Sequence, residues 1–243
     1  MRVLPILFNG DMVRAILDGR KTCTRRAVKL QWHACESCMH IHNEFLYDSK
    51  SNVVYCARCG EPLSPVRKPP YRPRDILYVR ETWTEECGKY YYRSDYDSDY
   101  LDPCETLSGG YPASCRNYPG CDGCMATSTR IHWHPSIHMP KEAARIWLQV
   151  TDVRVERLQD ITPKDAENEG VGNLFYDDIG YSGKDYGTEV DPEYGIAKEQ
   201  FAWLWDSTIK KADLDCYGWD ANPWVWVIEF ECCEKPEHEE KVG

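Results

Sequence analysis

Apolar positions recur at two periods along this chain, and two long stretches follow neither. Residues 3–8, VLPILF, form an apolar run that stops at Asn9-Gly10, which predicts a short strand. NGDMVRAILDG then spaces Met12, Ala15 and Ile16 at helical intervals between a capping Asn9 or Asp11 and a terminal Gly19. TCTRRAVKL (22–30) and the alternating DILYVRETW (75–83) read as strands. KEAARI gives a short helical turn before a long strand from Ile146 to Leu158. TPKDAENEG (162–170) has a threonine cap, a proline at the first helical position and a glycine at its end, which predicts a helix. KEQFAWLWDSTIKK (198–211) reads as an amphipathic helix and NPWVWVIEFE (222–231) as a final strand.

The stretches without a period are 32–65 and 85–130, rich in Cys, His, Tyr and small polar residues; 172–194 reads as a loop and SPVRKPPYRPRD (64–75) as a proline-rich turn region. With 32–65 and 85–130 set aside, the order is strand, helix, three strands, two helices, strand. It lacks the regular βα alternation of a doubly wound sheet. The expected class is α+β, a small β-barrel flanked by helices. The expected organisation is one domain over 1–231, interrupted by insertions at 32–65 and 85–130, with an acidic tail at 232–243.

Thirteen cysteines change that picture. VLPILF is too short for a signal segment, and no apolar run nears the ~20 residues of a membrane span. The expected location is therefore cytoplasmic, where thiols stay reduced. An odd count with several pairs two apart then points to metal, not disulfides. Cys35, Cys38, Cys56 and Cys59 form C-x2-C-x17-C-x2-C, the spacing of a closed tetrahedral zinc site. His33, His40 and His42 crowd its first knuckle, but four thiolates already complete it. Cys104, Cys115, Cys121 and Cys124 suggest a second structural zinc, with Cys87, His132 and His134 competing for its fourth position. Four-thiolate sites have no open position, so neither is expected to be catalytic. Adjacent Cys232 and Cys233 face opposite ways in a strand and read as ordinary strand residues.

The net charge is −11, yet residues 1–80 hold 14 Lys/Arg against 7 Asp/Glu. Overall acidity therefore does not exclude nucleic acid, because phosphates respond to a local field. The basic chemistry gathers in GRKTCTRR (19–26). Alternation puts Lys21, Cys23 and Arg25 on one face and Thr22, Thr24 and Arg26 on the other. Lys21 and Thr24 converge if the first residues remain in the turn. Cys23 is either a nucleophile or a packed thiol.

GRKTCTRR carries the pattern G-x-K-x-x-x-x-R, and PPYRPRDILYVRETW, SIHMPKEAARIWLQVTDVRVERLQDIT, AENEG and YGWDANPWVWVIEFE follow it in order. These stretches resemble the ASCH domain, a PUA-like β-barrel superfamily linked to RNA, in its phage and prophage form. The resemblance omits both cysteine-rich insertions. It implies a PUA-like barrel and, for a phage-encoded chain, the cytoplasm of a bacterial host. Small bacterial members hydrolyse N4-acetylcytidine to cytidine. The resemblance carries their catalytic lysine, threonine and glutamate onto Lys21, Thr24 and Glu169. Many ASCH proteins have an acidic residue at position 24, and Arg74-Asp75 stands here for the usual Gly-Asp turn.

Those residue types suit amide hydrolysis. Thr24 attacks, Lys21 takes its proton, and Glu169 passes a proton to the cytosine amine. A nearby glutamate favours the ammonium form of lysine, so unless Arg26 or burial offsets it, Lys21 instead polarises the carbonyl. Arg26 and Trp83 are the expected substrate-binding residues, Trp83 as a platform for the base. The expected ligand is a modified nucleoside or RNA, and the expected metal is structural zinc at two sites. The alternative function is a zinc-containing nucleic-acid-binding module without turnover. A weaker third is a phage protein that binds a host protein through its insertions.

Overall fold

The five strands read from the pattern are the five strands of one mixed sheet. In the computed structural model the described residues are 2–29, 33–35, 37–39, 41–42, 45–48, 50–51, 53–62, 69–86, 88–96, 132–171 and 192–236. The elements in chain order are β1 (Val3–Leu7), α1 (Gly10–Leu17), β2 (Cys23–Ala27), β3 (His33–Ala34), β4 (Ile41–His42), β5 (Phe45–Asp48), β6 (Val53–Cys56), β7 (Ile76–Arg80), β8 (Trp83–Glu86), β9 (Lys89–Tyr92), β10 (Trp147–Arg157), α2 (Pro163–Asn168), α3 (Pro192–Thr208), α4 (Leu214–Tyr217) and β11 (Trp224–Cys233). No helix among the described residues is long and apolar enough to cross a membrane.

The sheet order is β1-β7-β10-β11-β2. β1 runs parallel to β7, from Val3 opposite Ile76 to Leu7 opposite Arg80. β10 runs antiparallel to β7, with Val79 N donating to Ile146 O (3.0 Å) and Val150 N to Asp75 O (2.9 Å). β11 and β2 are antiparallel, from Val225 opposite Ala27 to Glu229 opposite Cys23. The expected closed barrel is not formed among the described residues. Closure needs the two edge strands to exchange hydrogen bonds, and β1 and β2 lie at opposite margins of the order.

Several local expectations shift. Asn9 caps α1, as its position suggests, but the buried residues there are Val13, Ala15 and Ile16, and Met12 is only half-buried. The strand expected over 75–83 breaks at Glu81-Thr82 into β7 and β8. α3 starts six residues before the expected 198, and α4 is additional. Most of the second insertion lies outside the described residues.

The chain divides into two compact units. The first comprises Met1–Arg2, Gly19–Asp75 and Gln149–Glu231. Its core gathers Leu158, Ile161 and Ala166 around Phe201 and Trp205 of α3 and Val225 and Val227 of β11. Alternation turns Trp224, Trp226 and Ile228 to the other face of β11. There Phe45 of the first insertion, 1% exposed, packs with its ring centroid 4.9 Å from Trp224 and 6.3 Å from Trp226.

The second unit comprises Val3–Asp18, Ile76–Leu148 and Cys232–Gly243. Its core is Ile76, Tyr78, Met139, Ala143, Ala144 and Trp147, with Cys233 packed against it while Cys232 is exposed. Glu81 is buried at the strand break, where Ser94 Oγ donates to it at 2.6 Å and Arg145 Nε at 2.9 Å. The Arg145 guanidinium also lies 4.0 Å from the Tyr92 ring centroid. A buried carboxylate so fully partnered reads as structural.

Candidate active site and metal centre

Residues 20–22 form an extended link in the first unit. Gly19 has φ +73°, a left-handed conformation that strains any residue with a Cβ. Thr22 N then donates to Asn168 O (2.8 Å), and Phe230 N donates to Thr22 O (2.9 Å). This ties the link to β11 on one side and to the end of α2 on the other. α2 is set by a capping box: Thr162 Oγ1 accepts from Asp165 N at 3.1 Å while Thr162 N donates to Asp165 Oδ2 at 3.3 Å. Glu169 follows its last turn, and Gly170 reverses the chain at φ +91°.

That framework brings Lys21 and Glu169 together. Lys21 Nζ donates to Glu169 Oε2 at 2.7 Å and to the Glu169 carbonyl oxygen at 2.8 Å. The two side chains are 0% and 4% exposed. One ammonium thus neutralises a carboxylate and caps the helix end, where the macrodipole disfavours an anion.

Arg25 joins this cluster, although the sequence assigned it no role there. Its Nη1 lies 3.3 Å from Glu169 Oε1, and its Nη2 lies 3.4 Å from Glu156 Oε2 and 3.7 Å from Asp165 Oδ2. The guanidinium also sits 5.8 Å from the Phe201 ring centroid. Arg25 Nε is buried without a hydrogen-bond partner among the described residues. Alternation had placed Arg25 on the face of Lys21, but nothing in the doublet Arg25-Arg26 ranks one above the other.

The neighbouring groups titrate accordingly. Burial pushes the Cys23 thiol up to about 12, and the Glu169 charge adds to this against Lys21 and Arg25. Such a thiol is not a nucleophile at neutral pH, so Cys23 is packed. Burial also raises the Asp165 carboxyl, but the Thr162 donors and Arg25 outweigh it and hold the group below the usual carboxylate range. Burial pulls Arg26 below its ordinary value, opposed by Tyr71 and Glu169.

Thr24 is buried in β2 opposite Ile228, on the face of the strand away from Cys23 and Arg25. Arg26 shares that face, is half-buried, and lies opposite Trp226. Trp83 belongs to the second unit, where its ring packs 5.3 Å from His134 and 5.8 Å from Tyr90.

Cys35, Cys38, Cys56 and Cys59 form the four-thiolate cluster that their spacing predicts, one that could hold a metal ion such as zinc. All four Sγ atoms lie within 4.8 Å of one another. Cys35 Sγ is 3.6 Å from Cys59 Sγ, and Cys38 Sγ is 3.9 Å from Cys56 Sγ. A tetrahedron with Zn–S bonds of ~2.3 Å has edges of about 3.8 Å, so the cluster fits zinc. Each knuckle closes the same way: Met39 N donates to Cys35 O (2.8 Å) and Gly60 N to Cys56 O (2.9 Å). Met39 and Gly60 both have positive φ, +55° and +75°. His33 and His42 are paired opposite each other in β3 and β4. His40, Cys87, Cys104, Cys115, Cys121 and Cys124 lie outside the described residues. His132 and His134, offered for the second site, pack edge to face at 5.2 Å.

No protein-family model, no curated protein and no solved structure matches this chain.

Proposed function

We propose that this protein is an amidohydrolase acting on N4-acetylcytidine or a related N4-acylated cytosine. The observation that carries the reading is the buried Lys21–Glu169 ion pair with Arg25 behind it. It joins two members of the Lys21, Thr24 and Glu169 set in the motif that resembles ASCH amidohydrolases. Lys21, held by Glu169, polarises the acyl carbonyl as a hydrogen-bond donor. Thr24, carried into the set by the resemblance, is the nucleophile: its Oγ adds to the acyl carbon, and its proton reaches Glu169 by way of solvent, because Thr24 lies on the face of β2 away from Arg25 and the carboxylate that Arg25 meets. The C–N bond breaks as Glu169 returns that proton to the cytosine amine, and water releases the acyl group from Thr24 as the acid. Arg26 contributes to substrate binding. The four-cysteine centre holds zinc as a structural ion, and Cys104, Cys115, Cys121 and Cys124 hold a second. The sheet and its helices are an open variant of the PUA-like barrel.

The test is release of cytidine from N4-acetylcytidine by zinc-loaded protein, followed by chromatography. Lys21→Ala, Thr24→Ala and Glu169→Gln each lower the rate by a factor on the order of 10² or more. No turnover by folded protein, or full turnover by Lys21→Ala, overturns the reading. In the first case the surplus of cations in residues 1–80 favours the second reading, a nucleic-acid-binding module. Its signature is RNA affinity that falls steeply with salt.

A further inference from the structure

Exposure divides the four sulfurs of the cysteine cluster. Cys35 and Cys56 are 2% and 0% exposed, Cys38 is half-buried, and Cys59 is open to solvent. The second knuckle is exposed throughout residues 57–60, and a Cβ placed at Gly60 would meet nothing within 4 Å. A small polar oxidant therefore reaches Cys59 without rearrangement of the fold. Behind it, Cys35 Sγ lies 3.6 Å from Cys59 Sγ. A disulfide bond is ~2.05 Å long, so the two sulfurs need to close by about 1.5 Å.

Cys216 and Cys232 are exposed as well, but among the described residues neither belongs to a cluster of ligating groups. An accessible thiolate poised next to a second thiol is the arrangement that oxidises reversibly, because the second thiol traps the first oxidation product as a disulfide. Cys59 with Cys35 has that arrangement.

We propose that Cys59 is a peroxide-reactive site and that Cys35 is its resolving partner. A metal-bound cysteine sulfur is a thiolate. The Cys59 sulfur attacks one peroxide oxygen: the S–O bond forms, the O–O bond breaks and hydroxide leaves, giving a sulfenic acid. The Cys35 thiolate then attacks the Cys59 sulfur: the S–S bond forms, the S–O bond breaks and a second hydroxide leaves. The two thiolates together lose two electrons, one peroxide gains them, and both hydroxides take up protons to become water. Cys35 and Cys59 are half of the four ligands, so the ion they hold is freed. The change reaches the main sheet, because Cys56 of the same cluster lies opposite Phe45, and Phe45 packs on Trp224 and Trp226. That the freed ion is zinc rests on the metal assignment above; the disulfide does not, and neither depends on the amidohydrolase reading.

The test treats the zinc-loaded full chain with hydrogen peroxide at an equimolar dose. A chromogenic zinc chelator follows release, and mass spectrometry of alkylated, unreduced peptides maps the disulfides. The expected first product is a Cys35–Cys59 disulfide with loss of about one zinc ion per chain, and dithiothreitol with added zinc restores the starting protein. Cys59→His keeps a fourth ligand for zinc but removes the exposed sulfur. It is expected to slow release from this cluster about tenfold or more, so that it retains zinc that the wild type has lost. A first disulfide other than Cys35–Cys59, or zinc lost from Cys59→His as fast as from the wild type, overturns the proposal. So does a cluster left unreacted by excess peroxide. If Cys59→His takes up no zinc, the disulfide map of the wild type decides alone. A Cys35–Cys59 disulfide formed in protein that never carried zinc keeps the reactive site and overturns the metal assignment.

Discussion

Glu169 holds Lys21 at two atoms, its carboxylate Oε2 at 2.7 Å and its own main-chain carbonyl at 2.8 Å. The contact is short because the extended link at 20–22 is hydrogen-bonded to the last turn of α2. Removing either partner leaves a buried charge, so the fold is sensitive to both. Lys21→Met is expected to cost about 3–5 kcal/mol in urea unfolding, and Lys21→Met with Glu169→Leu distinctly less than the two singles together. Additive losses would show that the pair is not coupled.

Arg25 sits among Glu169, Glu156 and Asp165, contacts that a forked guanidinium can make at once. Lysine is a single point charge and cannot span them. Arg25→Lys is expected to lose about 1–3 kcal/mol of stability and to lower turnover together with it, because Glu169 Oε1 loses its partner. Full activity in Arg25→Lys would show that Glu169 is positioned by Lys21 alone.

Metal loading is expected to reach at least one zinc per chain, bound by Cys35, Cys38, Cys56 and Cys59. Cys56 faces Phe45, and Phe45 packs on Trp224 and Trp226. Cys56→Ser or a strong chelator is therefore expected to change the tryptophan emission of the main sheet as well as release the metal. Emission unchanged on full zinc loss would separate the hairpin from the sheet.

Asp165 gives the protein an acid-sensitive contribution. Its folded carboxyl lies below the usual range, so the stabilisation is complete above the unfolded value of ~3.9 and is lost as pH falls through the lower folded value. The stability difference between wild type and Asp165→Asn should be constant from neutral pH to about 5 and shrink below about 4. A difference that persists at pH 2 would assign the effect to packing.

Cys23, pushed up to about 12 by burial and by Glu169, should resist alkylation in the native protein at pH 8, while exposed Cys216 and Cys232 react. Cys23→Ala is expected to retain turnover. Rapid native labelling of Cys23 would mean that the site opens.

The sequence alone determined what depends on near neighbours in the chain. Thr162, Pro163 and Gly170 bound α2 because capping involves residues a few positions apart. The C-x2-C knuckles predicted the four-cysteine cluster because each delivers two thiolates from one turn, and the strand pattern located all five strands of the sheet. Tertiary structure decided what depends on distant partners. A period of two says which residues share a face but not which strands pair, so the open order β1-β7-β10-β11-β2 was not legible. The role of Arg25 needed carboxylates 131 to 144 residues away. The docking of Phe45 on Trp224 joined a polar insertion to the sheet, a contact that no local period records. Local hydrogen bonding and turn chemistry are written in short stretches, whereas burial and charge pairing are properties of the assembled surfaces.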